Sequence, residues 1–301
     1  MHSRSGNLEA RQPFDLQKSL DFLSGFGPMA GEQSVDGGRA TKAIMVDGQT
    51  VAFGVKKEGS GVGYELFSEA PLAESAADDL AQRFSFFLSL DDDVRPFYSI
   101  AEERDQRFYP LIERSWGLHQ VKFQTLLEIS CWALINQRMQ RPTALRIKRS
   151  LTEKFGGSIK VGGAVYWAFP DRSRLEGATA KQLLELTGNQ RVAMRLVSLL
   201  SSLDTLDESF LRSAPYEKAN ERLQKVKGIG DWSSQFILFR GLGRMGKAQE
   251  INVRPLGDAI KRAYGREGES IEEANRLYGE WVGYWLLYLW ASTMGPKDTA
   301  E

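Results

Sequence analysis

Hydrophobic residues in the first 110 positions repeat with two different periods, which indicates a mixture of helices and strands. Leu16, Leu20 and Leu23 recur at helical spacing directly after a Pro-Phe-Asp segment. The pair Asp47-Gly48 separates two apolar runs and is typical of the tight turn of a β-hairpin. The predicted elements are a helix from Pro13 to Phe26, strands over 43–46 and 50–55, a strand after a turn at 59–63, and a helix over 76–90.

From Leu118 onward the apolar residues follow the helical period alone, and no further strand is expected. The connections between the periodic segments are short, which favours a bundle of packed helices. The predicted helices cover 124–137, 142–155, 180–186, 190–203, 207–213, 216–225, 232–242, 258–264 and 271–291. The pattern therefore predicts an α+β fold, with an N-terminal α/β domain over 1–112 and a helical region over 113–301.

The composition excludes several classes of protein. A single cysteine, Cys131, and two histidines leave no disulfide framework and no Cys/His cluster for zinc or an iron–sulfur centre. Cys131 lies in an apolar helical segment and is expected to be an inert core thiol. The residues Asp91-Asp92-Asp93 are consecutive and do not converge on one ion, so a solvated turn is expected there. No apolar run of about 18 residues exists, so no membrane partner is expected.

Charge is distributed unevenly although the chain is neutral, with 39 basic and 39 acidic residues. Residues 135–160 contain seven bases and one acid, and residues 221–262 contain nine bases and four acids. Residues 71–115 are acidic instead. Local basicity within a neutral chain is typical of a protein that binds a polyanion, although ordinary solvated helix faces explain the same counts.

The segment from Leu223 to Phe236 joins two predicted helices through Gly228-Ile229-Gly230. Glycines allow a close approach of the backbone, and the start of the second helix offers N–H groups to an anion. Lys225 and Lys227 flank the turn, so the segment is suited to a nucleic-acid phosphate. An ordinary interhelical turn is the alternative. The segment is not a dinucleotide-binding fingerprint, because no strand precedes it.

These residues resemble a known family. The pattern Leu-x-x-Val-x-Gly-Ile-Gly-x-Trp, ending at Trp232, resembles the helix-hairpin-helix of the HhH-GPD superfamily of base-excision DNA glycosylases. Leu134-Ile135-Asn136-Gln137 resembles the helix before that family's DNA-wedging loop. Trp281 and the aromatic run from Tyr284 to Trp290 resemble the last helix of the 3-methyladenine DNA glycosylase II (AlkA-type) branch. The segment from Pro13 to Leu23 and the following hairpin match its small N-terminal domain.

The resemblance implies a mainly α-helical HhH-GPD bundle, with the helix-hairpin-helix at about 216–242, and a small antiparallel β-rich (TBP-like) N-terminal domain. It also implies a catalytic aspartate, which Asp258 supplies at the start of a predicted helix. A carboxylate there would stabilise the positive charge that develops on the deoxyribose. From the local sequence alone, Asp258 is also a good helix N-cap.

The family's base pocket is aromatic, and the matching residues are Trp232, Trp281 and Phe22, with Phe236 and Tyr284 nearby on the same helices. Electron-rich rings hold a cationic alkylated base that has been flipped out of the duplex. The alternative is that these rings belong to the core. Relatives that also cut the DNA strand have a Schiff-base lysine at the position of Trp232, so hydrolysis of the base alone is implied.

The resemblance assigns the remaining contacts to DNA. The predicted backbone contacts are Lys225, Lys227, Gly228, Gly230 and Ser233, and the predicted wedge is Arg138 or Met139. The family that the chain resembles has leucine at the position of Arg138, so this departure leaves the wedge residue open. No cofactor is expected, apart from a monovalent cation on hairpin carbonyls near Val226 and Gly228.

The leading hypothesis is a monofunctional DNA glycosylase for alkylated bases of the 3-methyladenine and 7-methylguanine type. Its partner would be double-stranded DNA with a damaged base, and the protein would act as a monomer in the cytoplasm, or in the nucleus of a eukaryote. The alternatives are a glycosylase for oxidised or deaminated bases and a non-catalytic DNA-binding protein. Excision of methylated bases distinguishes the hypotheses.

Overall fold

The structure of the protein is a computed structural model that describes residues 1–29, 32–246, 256–265 and 271–294. Helices form most of it. They are α1 Leu16–Gly25, α2 Glu74–Leu88, α3 Arg95–Arg104, α4 Tyr109–Arg114, α5 Leu126–Ile135, α6 Arg141–Phe155, α7 Arg172–Leu175, α8 Ala180–Thr187, α9 Gln190–Leu200, α10 Glu208–Ser213, α11 Tyr216–Gln224, α12 Asp231–Phe236, α13 Gly257–Tyr264, α14 Ile271–Tyr278 and α15 Val282–Met294. No helix in the described ranges is both long enough and apolar enough to cross a membrane.

The N-terminal part contains a five-stranded antiparallel sheet. Its strands are β1 His2–Leu8, β2 Gln33–Asp36, β3 Arg39–Val46, β4 Gln49–Glu58 and β5 Gly61–Ser68, in the order β1-β5-β4-β3-β2. The predicted hairpin is confirmed, because Asp47 and Gly48 join β3 to β4 with φ angles of 48° and 77°. The edge strands β1 and β2 were not predicted, since their residues are largely polar and show no apolar alternation.

The expectation of no strand after Leu118 is wrong. Strands β6 Gly157–Val161 and β7 Ala164–Ala168 form a hairpin around Gly162 and Gly163. Ile159 and Ala168 pack with residues of β3 and β4 in a small second core. Each of these strands has only five residues and one exposed face, so the alternation of apolar and polar residues is too short to be recognised in the sequence. This hairpin from the second part of the chain therefore packs against the sheet of the first part.

The larger of the two hydrophobic cores joins the helices before and after residue 112. Helix α1 and helix α4 pack on α15, and α3 packs on α14. The predicted division into domains at residue 112 therefore has a continuous core across it, and it stays a prediction. The α+β class is confirmed by the mixture of helices with an antiparallel sheet.

Other differences concern helix boundaries. Helices α3 and α4 were not predicted, because charged residues interrupt their apolar period. The expected single helix over 271–291 breaks at Gly279, whose φ is 52°, so α14 and α15 are separate. Helix α12 continues into a wide (π) turn over Ile237–Gly241. Cys131 is buried in α5, which confirms a core thiol, and burial raises its pKa to about 12.

Four buried charged side chains connect the sheet to the helices. The Lys148 ammonium on α6 lies 2.5 Å from a carboxylate oxygen of Glu32 and 2.8 Å from one of Glu128 on α5. Lys42 on β3 lies 3.1 Å from the same Glu32 oxygen. All four side chains are less than 10% exposed. We call them the buried ion cluster. Lys148 therefore belongs to the interior, and it does not contribute to the basic surface suggested by residues 135–160.

Candidate nucleic-acid interface and base pocket

The hairpin between α11 and α12 is anchored by its apolar residues. Val226 and Ile229 are buried, and the Ile229 N–H donates to the Val226 carbonyl at 3.0 Å. Lys225 and Lys227 alternate with them and are exposed. Neither lysine makes an ion pair with a described residue. The alternation of apolar and basic residues thus presents two free ammonium groups on the outer side of the turn.

Gln137 ties the hairpin to the end of α5. Its side-chain amide donates to the Gly228 carbonyl at 2.8 Å and to the Ser233 hydroxyl at 2.6 Å. The next residue, Arg138, is exposed and has a φ of 53°. A non-glycine residue rarely adopts this conformation, so the loop holds Arg138 in place at a cost in backbone energy. Met139, the other predicted wedge residue, packs partly buried against the core.

A cleft of about 750 Å³ lies between the hairpin and the end of α5. We call it the hairpin cleft. It brings together several residues singled out from the sequence. Its described lining comprises Asn136, Gln137, Arg138, Gly228, Ile229, Gly230, Asp231, Trp232 and Ser233. Two of the predicted backbone contacts, Lys225 and Lys227, lie on the turn beside this lining but are not part of it. Asp231, an acid in the lining, accepts a hydrogen bond from Gln224.

Three predicted pocket rings lie in one row of aromatic side chains. Trp232 stacks on Phe236, with ring centroids 5.2 Å apart and planes 12° from parallel. Phe236 contacts Phe123, which contacts Phe26 at 5.7 Å, and Phe26 stacks on Phe22 at 5.6 Å. Phe22 is 2% exposed, so it forms the inner end of the row. Within the row, Trp232 alone is among the described residues that line the hairpin cleft.

Sequence reasoning missed Arg240, a fully buried arginine behind this row. Its guanidinium lies 5.1 Å from the Phe22 ring centre and 4.9 Å from that of Phe26. It donates one hydrogen bond, to the Val121 carbonyl at 3.0 Å. Its other nitrogens have no acceptor in the described ranges. Burial lowers its pKa to about 9. The local sequence does not predict the burial of Arg240, because the Phe22 and Phe26 rings that surround it come from a distant part of the chain.

A second cavity, of about 510 Å³, lies at the start of α15. We call it the Trp281 cavity. Trp281 and Tyr284 line it with ring centroids 5.9 Å apart, and Asp92, Arg244 and Glu280 lie in the same lining. Tyr284 is almost wholly buried and its hydroxyl donates to Asp92. Burial and the Asp92 charge raise the pKa of Tyr284 well above its usual value.

The residues Asp91-Asp92-Asp93 follow the end of α2 as expected, and Asp91 is exposed, but Asp92 and Asp93 are half-buried and have protein partners. Asp92 contacts buried Tyr284, and Asp93 lies 2.6 Å from the guanidinium nitrogens of both Arg11 and Arg95. The hydrogen bonds from Arg95 hold the pKa of Asp93 well below its usual value. These partners are distant in sequence or share a short turn, so the local pattern alone did not indicate them.

Trp232 and Trp281 line different cavities, and no described ring contact joins them. Asp258 lies in the first turn of α13, the helix that packs on α15, and is exposed. The N-cap residue is Leu256, so Asp258 does not serve as the N-cap. Asp258 has no ion-pair partner in the described ranges and is not among the described residues that line either cavity. Arg254 and Pro255 of its motif lie outside the described ranges.

The hairpin carbonyls predicted to hold a monovalent cation already accept hydrogen bonds. The Val226 carbonyl accepts from Ile229, and the Gly228 carbonyl accepts from Gln137. Each carbonyl oxygen has a second lone pair, so a cation there stays a prediction. The described part of the chain contains no group of three or more His, Cys, Asp or Glu side chains that could hold a metal ion.

The fold is that of DNA glycosylases. The chain matches the solved structure of a 3-methyladenine DNA-glycosylase from Archaeoglobus fulgidus with a TM-score of 0.74 and 22% identity, over 94% of this chain and 97% of that one. It matches the apo form of a Clostridium acetobutylicum 8-oxoguanine glycosylase/lyase with a TM-score of 0.70 and 18% identity, over 96% and 97% of the two chains.

A curated relative strengthens the resemblance at the level of sequence. A DNA-3-methyladenine glycosylase of Bacillus subtilis (strain 168) is 26% identical over 231 residues, which are 75% of this chain and 76% of that protein. No protein-family model matches the chain. The resemblance to DNA glycosylases is thus confirmed by both sequence and fold.

Proposed function

We propose that the protein is a monofunctional DNA glycosylase of base excision repair that removes alkylated bases from duplex DNA. The observation that carries the proposal is the hairpin cleft, where Arg138, the glycine turn and Trp232 meet within a DNA glycosylase fold. The B. subtilis relative named for 3-methyladenine supports the alkylated substrate. The protein would act as a monomer without a required cofactor, and its five-stranded sheet would be the small TBP-like domain.

The hairpin cleft would bind the DNA backbone. The free ammonium groups of Lys225 and Lys227 flank a turn whose glycines let a phosphate approach the backbone. Arg138 projects from the opposite side of the cleft, where it would fill the space left by the flipped nucleotide. The C. acetobutylicum protein has also been solved with double-stranded DNA, which supports this assignment.

The reaction would break the bond between C1′ of the deoxyribose and the base nitrogen. The electron pair of that bond goes to the base, so a cationic alkylated purine leaves as a neutral molecule. Water oxygen then bonds to C1′ and its proton is released. The free carboxylate of Asp258 would stabilise the positive charge on the sugar and orient the water.

Strand cleavage is not expected, because it requires an amine nucleophile at the hairpin and Trp232 occupies that position. Borohydride should therefore trap no covalent complex between the protein and DNA with a damaged base. Cleavage of the product strand should require hot alkali. A trapped complex would contradict the monofunctional assignment while leaving the glycosylase assignment intact.

The main experiment is incubation with methylated DNA, followed by chromatography of the released bases. The wild type should release 3-methyladenine and 7-methylguanine, and Asp258→Asn should release neither while keeping its affinity for DNA. Full excision by Asp258→Asn would contradict the catalytic role. The likeness to an 8-oxoguanine glycosylase/lyase supports one alternative, which release of 8-oxoguanine instead would favour. DNA binding without base release would indicate a non-catalytic protein.

A further inference from the structure

The wall of the Trp281 cavity is held by close backbone packing. The N–H of Gly283 donates to the Met245 carbonyl at 2.9 Å. A Cβ on Gly283 would lie 2.9 Å from Met245 backbone atoms, and a Cβ on Gly246 would lie 3.3 Å from the Glu280 Cα. The turn at Gly243–Gly246 therefore lies directly against Glu280 and the first turn of α15. This packing fixes the positions of Glu280 and Trp281 at the cavity.

Most charged groups of this cavity are already held by partners. The Arg244 guanidinium donates to the carbonyls of Leu211, Arg212 and Ala214 at the end of α10. Asp93 is paired with two arginines, as described above. Asp92 accepts the Tyr284 hydroxyl and also interacts with the charge of Lys122, which is buried behind Gly243.

Glu280 differs from these groups. It lines the cavity immediately before Trp281, it is exposed, and it makes no hydrogen bond or ion pair with any described residue. The cavity thus combines an indole, a buried tyrosine ring and a free carboxylate. The hairpin cleft has the opposite character, since the free groups beside it are Arg138 and the two lysines. A phosphate suits the cleft, and a cation suits the cavity.

Alkylated and oxidised bases differ in charge. Purines methylated at N3 or N7 carry a delocalised positive charge within DNA, whereas 8-oxoguanine and hypoxanthine are neutral. Aromatic faces attract cations, and a carboxylate without a partner adds a Coulombic attraction that a neutral base does not receive. Specificity arises from such differences between the binding of two competing substrates.

We propose that Glu280 is a specificity-determining residue, whose carboxylate in the Trp281 cavity favours cationic alkylated purines over neutral damaged bases. The inference rests on the proposed glycosylase function and names the charge class of its substrate. It assigns the flipped base to the Trp281 cavity, while the hairpin cleft holds the backbone. Trp281 and Glu280 then act together, one through its π face and the other through its charge.

The test compares single-turnover excision from two duplexes of the same sequence, one with 7-methylguanine and one with hypoxanthine. Glu280→Gln keeps the size of the side chain and removes its charge. The variant should lose about tenfold in rate on 7-methylguanine and should be unchanged on hypoxanthine. Glu272→Gln, an exposed change on α14 outside the cavity lining, is the matched control and should alter neither rate.

A further measurement keeps the inference separate from the glycosylase activity. It is quenching of tryptophan fluorescence by 7-methylguanosine and by guanosine in mildly acidic buffer. If the wild type excises nothing but binds the cationic nucleoside more tightly, and Glu280→Gln abolishes that difference, the proposed function fails and the assignment of Glu280 stands. An equal effect of Glu280→Gln on cationic and neutral substrates, or no effect on either, would overturn the assignment.

Discussion

Gly228 and Gly230 lie in the same turn but require glycine for different reasons. Gly228 has a φ of 102°, and a Cβ on it would lie 2.7 Å from the Arg195 Cγ. Gly230 has a φ of −101°, and a Cβ on it would meet no atom within 4 Å. The first glycine is therefore needed by the fold, whereas the second keeps the space in front of the hairpin open.

This difference predicts opposite effects of alanine at the two positions. Gly230→Ala should keep or raise the free energy of unfolding by up to about 1 kcal/mol, because alanine restricts the unfolded chain. Its methyl group should weaken duplex binding by obstructing the phosphate. Gly228→Ala should destabilise by at least about 1 kcal/mol through backbone strain. Urea denaturation and DNA titration measure both effects, and unaltered DNA affinity of Gly230→Ala would contradict a phosphate site at the turn.

Arg138 permits a test that separates backbone strain from side-chain function. Arg138→Gly should stabilise the protein by about 1 kcal/mol, because glycine adopts positive φ without strain, and should lower the excision rate. Arg138→Lys keeps the charge and the strain but loses the planar guanidinium. If the side chain acts by stacking in the duplex, Arg138→Lys should be as slow as Arg138→Gly. Wild-type excision by both variants would remove Arg138 as the wedge.

At the scale of elements, Gln137 couples the loop after α5 to the hairpin and α12. Gln137→Ala should lower stability by roughly 1 kcal/mol, since two hydrogen bonds to the hairpin are lost. It should also slow excision, because Arg138 and the glycine turn would no longer be held together. Gln140→Ala, an exposed change in the same loop, should leave both quantities unchanged. Thermal melting and single-turnover assays on the two variants test this coupling.

Elements also show what the sequence can and cannot predict. The hairpin is readable because its glycines, lysines and buried apolar residues lie within 14 consecutive positions, 223–236. The strands β6 and β7 could not be predicted in this way, because their buried residues Ile159 and Ala168 pack against β3 and β4, which are distant in sequence. The Trp281 cavity also could not be predicted from the local sequence, since Asp92 and Tyr284 are 192 residues apart. Arg240 and its rings are assembled by tertiary contacts in the same way.

At the scale of the whole molecule, the buried ion cluster holds the sheet to the helices. Lys148→Met would leave Glu32 and Glu128 buried with Lys42 as their remaining partner, and should cost about 3–5 kcal/mol. The neighbouring Arg149→Met removes an exposed ion pair with Glu153 and should have little effect. Urea denaturation of the two variants compares them directly. Equal stability of both would show that the cluster contributes no net stabilisation.

The same cluster predicts how stability depends on pH. Burial alone would raise the pKa of Glu32, but the charges of Lys148 and Lys42 outweigh it and hold the pKa below the ordinary 4.5. Burial alone would lower the pKa of Lys148, but Glu128 and Glu32 raise it above the ordinary 10.5. The stabilisation from Glu32 should be lost as the pH falls below 4.5, and that from Lys148 as the pH rises above 10.5. In Lys148→Met the free energy of unfolding should therefore depend less on pH, both below 4.5 and above 10.5.

The packing of α1 on α15 has a consequence for synthesis of the protein. The ribosome makes α1 long before α15, so the surface against which α1 packs does not exist until α15 has been synthesised. Contacts between distant segments form slowly, so the apolar side of α1 would stay uncovered while the nascent polypeptide lengthens. This part of the protein should therefore reach its final state only after α15 has emerged from the ribosome, and chaperones that shield exposed apolar surface should raise its yield.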